Sequence, residues 1–126
     1  KIIEKLDSIG VTILLSSLKE NIGGVWKPDI KTIFLSENLI GGGSLMFHSV
    51  LSHESIHVAQ SCYAGSVNSI PIRIGLPLGF SSSMDQNLSH PVYSDNSMEA
   101  LYIEQEAYTY SKEIGASLYY LNKFCY

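Results

Sequence analysis

The stretch Leu51-Ser52-His53-Glu54-Ser55-Ile56-His57-Val58-Ala59-Gln60 decides how the rest of the chain is read. In a helix each residue advances by about 100°, so His53 and His57 stand one turn apart, about 40° from each other on one face. Two imidazoles so placed can chelate a single metal ion. Glu54 falls beside that face, where a carboxylate can reach a metal-bound water without being a ligand. The plainer alternative is an amphipathic helix with two unrelated histidines, but the chain has only 4 His and one match to this spacing.

Outward from this stretch, Gly41-Gly42-Gly43 does not favour regular structure and Ser44 is suited to cap a helix, which is expected to start near residue 44. On its wheel Met46, Ser49, Val50, His57 and Gln60 share the His53 face, while Phe47, Leu51 and Val58 form an adjoining apolar face. One side is then buried and the next chelates. His48 falls on the far side and reads as a surface or packing histidine, and Cys62 also points away from the chelating face.

Before this helix, Lys1 to Ile9 has helical spacing up to Gly10, and Val11-Thr12-Ile13-Leu14-Leu15 reads as a buried strand. Val25-Trp26 and Thr32 to Leu35 flank the turn signal Lys27-Pro28-Asp29, which predicts a β-hairpin. Its second strand could form the edge of a small sheet above the metal, open to an extended peptide, and equally these could simply be core strands. After the helix, Ala64 to Asn96 is irregular and is read as a wall of the cleft, with the apolar residues of Ile70 to Phe80 packed on the core. A second long helix follows, capped by Asn96 with Glu99 three residues on, or by Ser97, and running to about Tyr120.

At 126 residues, 45% hydrophobic and 16% charged, the chain is expected to form one compact α+β domain over residues 1–126. With a net charge of -4, a pI near 5.4 and 8 scattered Lys and Arg, there is no basic stripe, and nucleic acid is not an expected partner. No apolar run approaches the roughly 18 to 20 residues of a membrane span, so a soluble protein is expected. The chain opens at Lys1 without a basic and apolar leader, as a trimmed or processed piece would, and its compartment and oligomeric state stay open. Cys62 and Cys125 are too few for a disulfide framework or a thiolate zinc site; two reduced, half-buried thiols are the commoner outcome, and pairing with each other is the alternative.

Two histidines need a third protein ligand if the metal is a catalytic zinc with one position left for water. With Ala100 at zero degrees on the second helix, Ala107, Ser111, Ile114 and Leu118 fall within about 40° either side, and Glu104 falls with them. Glu99, Glu106 and Glu113 gather at about 220° to 260°, on what reads as the wet side. A carboxylate on a small-residue stripe is costly unless paired or metal-bound, so Glu104 is the leading ligand, ahead of Glu106, Glu99 and His90.

His53-Glu54-x-x-His57 followed by Glu104-Gln105-Glu106-Ala107 resembles the gluzincin metallopeptidases, in which a Glu on a later helix completes the site. The metzincin pattern does not fit, since Gln60 stands where that group has Gly and Tyr63 where it has its third His. The resemblance implies a small zincin-like fold, with a short sheet or hairpin packed on the HExxH helix and a second long helix. It further implies bound Zn2+ and hydrolysis of peptide bonds in a peptide or protein substrate. Position 108 is Tyr rather than the Asp that supports a metal-binding histidine in the family, leaving Gln60 or Asp95 to orient the ligand. In the implied mechanism Glu54 is the general base and an oxyanion donor is needed, for which Tyr108 comes first and His90, Tyr93 and Arg73 are alternatives. The rival reading is an inactive zinc-binding or protein-interaction module on the same scaffold.

Overall fold

The computed structural model describes residues 2–18, 22–38, 44–76, 98–113 and 115–125, with only the backbone of residues 44, 45, 98 and 99. The architecture is mixed α+β: helix α1 (Ile2–Ser8), strands β1 (Thr12–Ser16), β2 (Gly24–Lys27) and β3 (Thr32–Ser36), then helices α2 (Ser44–Ala64), α3 (Met98–Ser111) and α4 (Ala116–Phe124). None of these helices is long and apolar enough to cross a membrane. The Gly41–Gly43 loop, the cap side chains at Ser44, Asn96 and Ser97, and the side chain of Glu99 lie outside the described residues, as do His90, Tyr93, Asp95 and the second half of the long loop.

The hairpin forms as the Pro-Asp turn predicts. Pro28–Ile30 make a single 3-10 turn, and Lys31 takes the left-handed conformation (φ 50°) that redirects the chain into β3. Sheet order, however, is β1-β3-β2, with β3 parallel to β1 and antiparallel to β2. The second hairpin strand is therefore the middle of the sheet and not an edge open to a peptide. Its own pairing on both sides buries Thr32, Ile33, Leu35 and Ser36. β1 is a strand but not a buried one. Among the described residues it pairs on one side only, and Leu14 and Leu15 are 47% and 50% exposed.

α2 is the central element. From Glu54 to Cys62 every residue is buried, because different neighbours cover its faces. Leu51, Val58, Ala59 and Cys62 join Leu6, Val11, Trp26, Ile33, Leu35 and Leu121 in the main core, while Ile56 meets Ala107, Tyr110 and Ala116 in a second cluster. The Trp26 indole N-H donates to Ser61 Oγ at 2.8 Å and ties β2 to α2. His48 is exposed, as its phase predicts.

Three further expectations are corrected. The expected long second helix is two helices, because Gly115 at φ 79° ends the run and turns the chain back along α2, where Ser117 Oγ donates to the Ser52 carbonyl at 3.0 Å. That reversal carries Cys125 to the end of α2, where it forms a disulfide with Cys62 (Cα to Cα 5.2 Å) instead of leaving two free thiols. In the loop after α2, Ile74 and Leu76 pack on the core, but Ile70 is 80% exposed and Ile72 is exposed as well.

The disulfide spans a sequence separation of 63, so on chain-entropy grounds it restricts the unfolded chain by about 4 kcal/mol. Reducing it, or making Cys125→Ser, is expected to lower the unfolding free energy by about 2–5 kcal/mol, read as a lower urea midpoint with an unchanged spectrum of the folded state. An unchanged midpoint would mean that the bridge adds nothing to what Leu121 and the core already hold.

Candidate metal centre

The centre forms where α3 crosses α2. Ala107 is fully buried against Ile56, and its small side chain brings the two backbones close. On one flank of that contact α3 presents Glu104 to α2. Glu104 Oε2 lies 3.3 Å from His53 Nε2, and Glu104 Oε1 lies 3.1 Å from His57 Nε2. One ligand atom from each of the three residues falls within 4.8 Å of the others, the only such acidic, His or Cys group found among the described residues.

These distances test whether a cation fits. Four ligands at about 2.0 to 2.1 Å around a tetrahedral ion are separated by about 3.3 to 3.4 Å; each imidazole nitrogen stands about that far from one Glu104 oxygen, a different oxygen for each ring, so the carboxylate spans the pair. Two imidazoles and a carboxylate are donors that suit a divalent transition ion. His57 is buried, and His53 and Glu104 are half-buried, which leaves one side of the group accessible. The group could hold a metal ion.

Electrostatics point the same way. Burial alone would pull the His57 imidazole down, but the Glu104 carboxylate, aided by Glu54 and Gln60, carries it up to about 9. Burial would raise Glu104, yet His57 and His53 hold it well below the usual carboxylate range. The pocket is thus built to keep positive charge between the imidazoles and the carboxylate. A cation entering it displaces a proton, and the two compete.

Glu54 lies beside the group and is buried. Burial pushes its carboxyl up; the two imidazoles pull it down, Glu104 adds to the rise, and the Trp26 backbone N-H, hydrogen-bonded to it, pulls it down again. That N-H is available because the β2–β3 register pairs Val25 with Phe34 and turns alternate backbone groups of β2 outward.

The approach of β2 to α2 depends on Gly24. A Cβ there would stand 2.9 Å from Val50 Cγ1, 3.0 Å from Glu54 Cγ and 3.2 Å from Leu35 Cδ2. Neither the branched Val50 nor the stem of Glu54 can swing aside freely. Gly24→Ala is expected to destabilise the fold by about 1–3 kcal/mol, and the double variant with Val50→Ala to recover part of that loss in denaturant titration. Additive losses in the pair would rule out Val50 as the obstacle.

Glu106 does not lie on a wet side. It is 1% exposed and accepts hydrogen bonds from Gln60 Nε2 and from the backbone N-H groups of Ile74, Gly75 and Leu76. A helical wheel could not reveal this, because the cover over that face is a loop some 30 residues earlier in the chain. Glu113 is exposed as expected. Gln60, one of the two residues expected to orient a ligand, has Oε1 2.7 Å from His57 Nδ1. The Tyr108 ring is tilted against His53 with centroids 4.6 Å apart. Arg73 instead stacks its guanidinium 4.7 Å over the Tyr102 ring. Trp26 and Gly24 were not anticipated at the site, and Glu106, weighed there as an alternative ligand, bonds Gln60 and the loop backbone instead. Compared with protein-family models, with curated proteins and with solved structures, the chain matches none of them.

Proposed function

We propose that this chain is a zinc-dependent peptidase of gluzincin type on a small zincin-like scaffold. The observation that carries the reading is the His53, His57 and Glu104 group, with one ligand atom of each within 4.8 Å of the others and Glu54 buried beside it. His53, His57 and Glu104 would hold the zinc. When bound, zinc lowers the pKa of a water towards about 7 and polarises a carbonyl oxygen.

The remaining chemistry belongs to the chain. Glu54 accepts the proton of the attacking water and returns it to the leaving amine. Its burial suits that task, since a carboxyl pushed up from its ordinary value holds a proton more readily than a surface glutamate would. Trp26 fixes the carboxylate through its backbone N-H. Tyr108, whose ring packs on His53, is the candidate hydroxyl donor to the oxyanion. The substrate on this reading is a peptide or an unfolded protein.

The test is turnover of unfolded casein by the zinc-loaded chain, followed as new amino termini, abolished by chelator and restored by zinc. Stoichiometric zinc with no cleavage would instead favour the inactive zinc-binding module.

A further inference from the structure

We propose that Glu106 and Gln60 are positioning residues that lock His57 in the one tautomer able to bind a cation through Nε2. The inference rests on the reading of His53, His57 and Glu104 as a metal centre.

Gln60 Nε2 lies 3.0 Å from the Ile103 carbonyl oxygen and 3.0 Å from Glu106 Oε1. Both partners only accept, so the amide nitrogen, with its two hydrogens, must face them. The amide oxygen is then left facing His57 Nδ1 at 2.7 Å. An oxygen without a hydrogen requires a donor opposite it, so Nδ1 carries the imidazole proton. His57 Nε2 therefore offers a lone pair towards Glu104 Oε1, 3.1 Å away. Two acceptors at that distance are reconciled only by a cation or a further proton between them.

Glu106 is the fixed end of this relay. Its Oε1 takes Gln60 Nε2 and the Ile74 N-H at 2.8 Å, and its Oε2 takes the N-H groups of Gly75 at 2.9 Å and Leu76 at 3.0 Å. Four donors fill the positions a carboxylate can offer, and three of them are backbone. The side chain can neither rotate nor exchange its partners without losing buried hydrogen bonds. Glutamine at this position would turn an NH2 group towards donors. Set against Gln60, it removes one of the two acceptors that hold the amide NH2 away from His57 and leaves only the Ile103 carbonyl to keep the imidazole proton on Nδ1, which loosens the metal position.

The experiment measures Zn2+ affinity by chelator competition for the parent chain, Glu106→Gln, Gln60→Leu and the exposed control Glu113→Gln. Imidazole 15N spectra of the parent are recorded alongside. Affinity is expected to fall roughly 10–100-fold in the first two variants and to hold in the control, as for other residues that orient a metal-binding histidine. The zinc-loaded parent is expected to show His57 protonated at Nδ1 and bound through Nε2. Unchanged affinity in folded Glu106→Gln and Gln60→Leu, or a parent bound through Nδ1, overturns the relay. Where a variant fails to fold, the parent's spectrum alone decides. A parent that takes up no zinc overturns the metal centre, and the proton position in its metal-free imidazole at alkaline pH still decides the relay.

Discussion

Glu54→Gln is expected to keep its zinc and its fold while peptide-bond hydrolysis falls by roughly 10²- to 10⁴-fold, the loss that follows when a general base is removed. The substitution preserves volume in a buried place beside Val50 and Gly24. The glutamine oxygen can still accept the Trp26 N-H. What is lost is a group that gains and gives up a proton. Stability should hold or rise, because a carboxylate that burial pushes up from its ordinary value is a charge the fold holds at a cost. Zinc content, thermal midpoint and turnover together separate the possibilities. A variant that cleaves at the parent rate removes Glu54 from the mechanism, and one that loses zinc makes Glu54 part of the metal centre instead.

The parts of this site that were legible in sequence are those set by local periodicity. His53 and His57 share a face whatever surrounds α2, and Glu104 could be placed inward because Ala107 and Ser111 share its stripe and only small residues allow a close helix crossing. The Pro28-Asp29 turn likewise announced the hairpin. What stayed hidden depended on contacts distant along the chain. Sheet order decides that β3 is central and β1 an edge, and no feature of Val11 to Leu15 encodes it. Glu106 looked wet because its cover, the backbone at Ile74 to Leu76, belongs to another segment. The disulfide followed only from the reversal at Gly115. That glycine is a local stop signal, overridden in the reading by the apolar residues on either side of it.

Glu104→Ala is expected to abolish stoichiometric zinc binding, with an affinity loss larger than the roughly 10–100-fold that goes with residues acting through a ligand. Two imidazoles remain, half the donors of a tetrahedral site, and the carboxylate that offsets the cation's charge is gone. Elemental analysis after dialysis reads the result directly. One zinc per chain in this variant would hand the third position to a residue other than Glu104. The metal-free protein supplies a second measurement with its own sign. His57, raised from 6.5 to about 9, contributes stability that is fully present below pH 6.5 and lost as pH rises through about 9. Glu104, lowered from 4.5, contributes stability present above pH 4.5 and lost as pH falls through its depressed value. Glu104→Ala should therefore destabilise the metal-free chain most between pH 4.5 and 6.5, and the difference from the parent should shrink as pH rises towards 9 and beyond. A difference independent of pH would mean that Glu104 acts on α2 by packing alone and forms no charge pair with His57.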